Sequence, residues 1–404
     1  MQKVGCKKLV SILFILLLVV AMVIMTSGCD KDNSDGDDSG SEVESDYNNS
    51  EPDTSENSND NNNNGTTPGK KEDNTPGTTD NNTDIITTPK YVNPLTGLPT
   101  EKDLLGQRPV SIMINNLQKA TPQIGIASAD ILYECLTEGG ITRLLMVVLD
   151  YEKLNVVGSV RSSRDYFIDF SQNHDAIYIH AGGSVYAYDA LSKRDVDNLD
   201  GVKMGTISSI MFYRDEERKK TMGYEHSLMT TGEKIVAGIQ KKQYRTAIKQ
   251  NFKNPMQFVD YGKRVTLGGD ASLDIRLPYS KGQVVDLVYD KDTGKYLRYQ
   301  FSGVKHIDGE TGEQLAFDNV IVILTDMWVI EGDKNNCLKV ITTGEGKGYY
   351  ATGGRYIPIK WSKSNVDSPI VFTNNDGTPL LLNRGKTFIS VIDKDTKYNM
   401  NYSD

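Results

Sequence analysis

The sequence predicts an α/β domain with a mixed sheet, followed by an all-β domain of sandwich- or barrel-like form. Three observations predict it. Between residues 91 and 250, short apolar runs alternate with amphipathic segments that open on helix-capping residues. From 251 to 404 helix signals cease, and Gly, Asn and Asp turn signals recur between short β-branched and aromatic runs. Ahead of both, residues 1–90 have a composition that builds no core.

Along the first domain, Val110–Ile114 reads as a strand, as does the Leu-, Val- and Met-rich run Ile141–Leu149. Asp150–Asn155 is a turn and Val156–Val160 a third strand, which together suggest a hairpin centred near Glu152 and Lys153. Arg164–Gln172 is an amphipathic helix whose apolar members are Tyr166, Phe167 and Phe170. Ala176–His180 is a buried strand running into Ala181-Gly182-Gly183-Ser184 and a helix to about Arg194. Thr230 and Glu233 make a capping box for a helix reaching about Lys241.

In the second domain, turns are marked by Asp290–Gly294, Asp308-Gly309, Gly344–Gly348, Gly353-Gly354 and Asn375–Gly377. The strands between them include Val284–Tyr289, Val320–Leu324, Leu338–Ile341, Ile357–Trp361, Ile370–Phe372 and Phe388–Ile392. Asp290–Gly294 opens like a calcium loop, but position 301 is Phe rather than the required Glu, so a hairpin turn is the reading.

The N-terminus speaks of location. Lys3, Lys7 and Lys8 precede an apolar run from Leu9 to Met25, and Thr26-Ser27-Gly28-Cys29 follows. Residues 1–28 therefore read as a lipoprotein signal peptide. Cleavage before Cys29 and lipidation of that residue would anchor the mature chain to the extracellular face of the cell membrane. The alternative is an uncleaved transmembrane anchor, whose 17 apolar-run residues lie at the lower limit for spanning a bilayer. Either way the same domains stand outside the same membrane.

Residues 29–90 form an acidic tether rich in Asn, Asp, Ser and Thr, expected to be disordered because so little of it is apolar. From 30 to 90 there are 16 acidic and 4 basic residues, which leaves residues 91–404 with 38 of each sign. The chain's net charge of −9 thus belongs to the tether, and no nucleic-acid partner is expected. Sixty flexible residues reach roughly 45 Å, enough to hold the folded part within the wall zone of a Gram-positive envelope. Cys135 and Cys337 sit in apolar, strand-like contexts and read as buried thiols rather than a disulfide.

The densest polar constellation runs from Glu134 to Arg164. In the hairpin reading, residue 143 lies across from about 162, which gathers Arg143, Arg161 and Arg164 beside Glu138 and Asp165. Guanidiniums repel one another, and two of these flank a helix start, where the dipole disfavours cations. A bound anion resolves both conflicts, since arginine forks and helix N-termini hold anions well. Gly182, Gly183 and Ser184 offer further backbone amides at a strand-to-helix junction, the usual ligand position in α/β sheets. The competing reading is a structural ion network in which Glu134, Glu138 and Asp165 neutralise the arginines. His180 and His226 are candidate acid–base groups, against the reading that both are structural. There is no His-Glu-x-x-His, paired Cys, Gly-x-Ser-x-Gly, Ser-x-x-Lys or P-loop, so zinc and serine-hydrolase chemistry lose their support and no metal site is expected.

Tyr133-Glu134, Glu138-Gly139-Gly140-Ile141-Thr142-Arg143, Arg161-Ser162-Ser163-Arg164 and His180-Ala181-Gly182-Gly183-Ser184 together resemble the YerB-like family of Gram-positive surface lipoproteins. Tyr289-Asp290, His306-Ile307-Asp308, Gly353-Gly354-Arg355, Trp361 and Gly385-Lys386-Thr387 are similar to that family's β-rich second domain. The resemblance covers nearly all of residues 91–395 and implies a two-domain surface lipoprotein with no settled activity. It departs at Glu225-His226-Ser227, where the family tends to have Pro-His-Asn. More distantly, the order of strands, Arg-x-x-Arg-Asp and Ala-Gly-Gly is similar to the LytR-CpsA-Psr phosphotransferases. That likeness implies Mg²⁺, lipid-linked polyprenyl pyrophosphate glycans and metal-holding acids, for which Asp130 and Asp165 are candidates.

The leading expectation is an accessory envelope lipoprotein, with an anionic ligand or wall polymer at the arginines and no cofactor. The alternatives are a Mg²⁺-dependent phosphotransferase and a scaffold for a protein partner.

Overall fold

The apolar runs of the first region become strands and its capped segments become helices. The structure, a computed structural model, describes residues 88–402. The signal segment, Cys29 and nearly all of the tether lie outside the described residues. In chain order the first region holds β1 (Val110–Asn115), β2 (Ile131–Leu136), β3 (Thr142–Val148), β4 (Val156–Gly158), β5 (Ile177–His180), β6 (Asn198–Asp200), β7 (Tyr213–Arg214) and β8 (Leu228–Thr231). Its helices are α1 (Asp165–Gln172), α2 (Val185–Lys193), α3 (Thr206–Met211), α4 (Glu216–Thr221) and α5 (Gly232–Lys242).

Beyond Lys242 the described residues contain strands only. They are β9 (Asp270–Ala271), β10 (Asp274–Ser280), β11 (Gln283–Asp290), β12 (Lys295–Gln300), β13 (Val304–Lys305), β14 (Ala316–Phe317) and β15 (Asn319–Thr325). Six more follow: β16 (Met327–Val329), β17 (Leu338–Val340), β18 (Gly344–Thr352), β19 (Arg355–Lys363), β20 (Val371–Asn374) and β21 (Thr387–Asp393).

Strands of both regions join one large sheet, in the order β20-β19-β18-β15-β21-β2-β3-β1-β5-β6, with β9 beside β19. The seam is β21. It runs parallel to β15 on one side, with Phe388 across from Val320, and parallel to β2 on the other, with Phe388 across from Leu132. Parallel neighbours require long connections, and here the connections are most of the β-rich region.

Every residue of β1 and β3 is buried, as expected for strands covered on both faces. On one face, Ile112, Leu132 and Met146 share a core with Leu277, Val285, Leu287 and Tyr296 of the antiparallel sheet β10–β14. That sheet alternates buried and part-exposed residues along β10 and β12, the mark of a layer with one wet face. The β-rich strands are therefore stacked as a sandwich. On the other face, Met113, Tyr133 and Leu145 pack with Tyr166, Phe167 and Phe170 of α1 and with Ile321, Tyr350 and Trp361. Each fully buried aliphatic or aromatic side chain of this kind contributes about 1.5–3 kcal/mol.

Three local expectations need correction. Gly344–Gly348 is not a turn; it opens strand β18 and pairs with β19. The strands Thr142–Val148 and Val156–Gly158 do not form a hairpin: β3 lies between β1 and β2, while β4 pairs with β8. The long apolar β3 gains more by pairing and packing on both sides than a short neighbour offers. Helix α5 is capped by Thr231, whose hydroxyl accepts from Lys234 N at 3.2 Å, and not by Thr230, whose hydroxyl bonds Met211 O at 2.8 Å. Cys135 and Cys337 are buried free thiols.

Candidate anion-binding site

The segment Arg161–Arg164 is laid across the C-terminal ends of the parallel strands β1 and β5. Arg161 N donates to Met113 O at 2.9 Å, Ala181 N to Arg161 O at 3.0 Å, and Ser163 N to Gly182 O at 2.9 Å. The carboxyl ends of parallel strands are where α/β sheets present ligand-binding loops. Arg143, the second residue of β3, lies directly across from Asn115, the last residue of β1. The three arginines thus meet, but around the end of β1 and not across a hairpin.

Arg164 precedes α1 and reaches Glu138, with its Nε and Nη2 each 2.5 Å from a carboxylate oxygen. Burial pushes the Glu138 carboxyl up, yet the Arg164 bonds and charge outweigh it and hold the group below its ordinary value. Asp165 does not join the arginines; its carboxylate lies 3.7 Å from Lys339 Nζ. Glu134 does not join them either, because it pairs with Arg298 at 2.5 Å, both side chains fully buried.

Arg161 is held by Glu225: Nη1 donates to its carbonyl at 2.8 Å and Nη2 to Oε2 at 3.2 Å. Its Nε is buried with no hydrogen-bond partner among the described residues. Arg143 is the least compensated of the three. It is 6% exposed, its Nη1 donates to Ser162 O at 2.8 Å, and it forms no ion pair among the described residues. Burial, then repulsion from Arg164 and Arg161, pushes its pKa down to about 9 against the opposing pull of Glu138.

The glycine turn supplies fewer free amides than expected. Gly182 N donates to Asp200 Oδ1 at 2.8 Å and Ser184 N to Ser163 O at 3.2 Å, while Ser184 Oγ caps α2 by accepting from Ala187 N at 3.1 Å. Gly183 forms a bridge with Ser163. These residues hold the arginine segment in place through main-chain bonds.

His180 Nδ1 lies 2.8 Å from Gly182 O and Nε2 lies 3.3 Å from Asn198 Oδ1. Burial pushes it below the ordinary histidine range despite Asp200, so the neutral ring has one N–H to donate, and the shorter contact assigns it to Nδ1 and Gly182 O. His226 is different. Asn115 Nδ2 donates to its Nδ1 at 2.9 Å, which places the ring proton on Nε2, 3.7 Å from Glu225 Oε1. It therefore stands in the Arg161–Glu225 cluster. Burial depresses its pKa first, Glu225 opposes, and Arg161 adds to the depression.

Asp130 sits at the other end of β2. Its carboxylate accepts from Leu149 N at 2.8 Å and Asn93 Nδ2 at 2.9 Å, and burial pushes it up to about 6. Arg143 is paired across from Cys135, five residues along that strand. The structure does not bring Asp130 and Asp165 together.

Sequence reasoning missed three participants: Asn115, Glu225 and the carbonyl of Ser162. The Glu225-His226 pair carried a signal, since a carboxylate beside a histidine suits an arginine partner. Asn115 and a backbone carbonyl carried none.

The pattern described as "Protein of unknown function (DUF3048) N-terminal domain" matches residues 95–245, and its C-terminal counterpart matches residues 275–389. The chain is 31% identical over 309 residues to "Putative lipoprotein YerB" of Bacillus subtilis (strain 168), a match covering 76% of this chain and 87% of that protein. The chain belongs to the YerB-like family. The crystal structure of the YerB protein from Bacillus subtilis superposes with a TM-score of 0.64 at 30% identity, covering 75% of this chain and 97% of that one. The two matched patterns of this YerB-like chain meet in the shared sheet, because β21 ends the second and pairs with β2 of the first. No helix among the described residues is long and apolar enough to cross a membrane.

Proposed function

We propose that this chain is a lipid-anchored protein of the extracellular face of the cell membrane with an accessory, ligand-binding role in the cell envelope. Its ligand is an anion held by Arg143 with Arg161 and Arg164. The anchor rests on Lys3, Lys7, Lys8, the Leu9–Met25 run and Cys29, supported by the lipoprotein name of the Bacillus subtilis relative.

The binding reading rests on one observation. Arg143 is a buried guanidinium whose single hydrogen bond among the described residues is to a carbonyl, with two other guanidiniums close by. A buried charge without a counter-ion is costly, and an arriving anion removes the cost. The transferase reading has no comparable support, because Asp130 lies at the far end of β2 from Arg143.

The test is the thermal stability of the detergent-solubilised full chain against a panel of carboxylates, phosphate and pyrophosphate. A stabilisation present in the wild type and lost in Arg143→Met supports the site. No response to any anion overturns it. Mass spectrometry of the membrane-purified chain that finds its N-terminus at Cys29 with a lipid-sized mass added supports the anchor; an unmodified Cys29 still preceded by the Leu9–Met25 run counts against it.

A further inference from the structure

Arg143 and Arg164 are anchored alike on one side of the guanidinium. Each uses Nη1 to bond a main-chain carbonyl: Arg143 takes Ser162 O at 2.8 Å and Arg164 takes Ser163 O at 2.6 Å. Arg164 then offers its Nε–Nη2 edge to Glu138, which accepts with both carboxylate oxygens at 2.5 Å. The same edge of Arg143 has no acceptor among the described residues. Two neighbouring arginines with the same carbonyl anchor thus differ in whether the protein fills the fork.

We propose that the Nε–Nη2 edge of Arg143 binds a ligand carboxylate side-on, in the manner in which Arg164 binds Glu138. This rests on the anion-site reading and narrows it from anions in general to monoanionic carboxylates.

Geometry supports it first. The Nε–Nη2 edge presents two parallel N–H groups in one plane, which match the two oxygens of a carboxylate. Burial narrows the ligand next. With Arg143 only 6% exposed, the group that reaches the edge must be thin and planar. Charge decides between acids. The three guanidiniums face Glu138 and Glu225, and Asp165 is engaged by Lys339. One further negative charge completes the balance. A phosphate ester carries about −1.5 to −2 near pH 7, and the excess would be repelled by Glu138, close enough to act on Arg143.

The decisive measurement is nitrogen NMR of the arginine Nε–H groups in the full chain, titrated with N-acetylglycine, N-acetylglycinamide, inorganic phosphate and pyrophosphate. We expect N-acetylglycine to shift one arginine signal saturably. The amide should do nothing, and phosphate and pyrophosphate should bind at least tenfold more weakly. The Arg143→Lys chain should lose that signal and at least tenfold in N-acetylglycine affinity. If that chain fails to fold, the wild-type contrast of acid with amide still decides. Saturation by phosphate or pyrophosphate at lower concentration than by N-acetylglycine would overturn the carboxylate assignment and leave the anion site standing. No saturable shift with any of the four probes would overturn both.

Discussion

Glu134 of β2 and Arg298 of β12 form an ion pair at 2.5 Å with both side chains fully buried, 164 residues apart in the chain. Around it, Glu134 Oε1 accepts from Thr142 Oγ1 at 2.6 Å and Asn116 Nδ2 at 3.1 Å. Arg298 also bonds His306, whose Nε2 faces Gln123 Oε1 at 2.9 Å. Asn116, Gln123, Glu134 and Thr142 come from the first region, Arg298 and His306 from the second. A charged pair without solvent is tolerated only when its remaining donors and acceptors are satisfied, and this network satisfies most of them.

Removing one partner leaves the other charged and buried. Arg298→Met should cost about 3–5 kcal/mol, read as a lowered urea midpoint, and Glu134→Leu a similar amount. The double variant should cost clearly less than the two together, since no lone charge remains. Simple additivity would show that the pair is not coupled.

Arg143 should behave in the opposite way. Its burial beside two arginines opposes the charged form, so Arg143→Met should leave the ligand-free chain unchanged or more stable, by on the order of 1 kcal/mol. A structural ion network instead predicts a loss. Thermal denaturation without added anions separates the two.

His174 and Asp130 set opposing pH dependences. Burial, with a smaller push from Lys363, takes His174 down to about 3, and its Nε2 lies 2.7 Å from Tyr133 Oη. Between about pH 6.5 and 3 the unfolded imidazole is protonated and the folded one is not, so stability is lost as pH falls through that window. Asp130 is pushed up to about 6 by burial, so between about pH 6 and 4 the folded chain holds the extra proton and this group's stability is lost as pH rises. Urea midpoints from pH 7 to 4 should therefore fall less steeply on acidification in His174→Phe than in the wild type. Asp130→Asn should fall more steeply. Unchanged slopes would refute the assignments.

The thiols should be silent. Cys135 and Cys337 are free and buried, and burial, with Glu138 and Asp333 nearby, takes Cys337 up to about 12. A thiol-reactive dye should label neither in the native chain at pH 8 and both in denaturant. Rapid native labelling of Cys337 would show that its cover opens.

The sequence by itself determined the local elements. Apolar periodicity placed α1, β1, β5 and, after residue 250, β11, β15, β17, β19, β20 and β21 to within a few residues, because these features depend on neighbours along the chain. It named no strand at β2, β10 or β12 and read the start of β18 as a turn. It also made Arg143, Arg161 and Arg164 a plausible group, through their shared charge and closeness in the chain. Tertiary structure alone decided which strand lies beside which. β3 chose β1 and β2 over β4, and β21 closed the seam between the two regions. It also decided which acid each arginine received. Glu134 went to Arg298, Glu138 to Arg164 and Glu225 to Arg161, leaving Arg143 with a carbonyl. Strand pairing and ion partnership are settled by burial and by contacts between residues far apart in the chain, and local periodicity does not encode them.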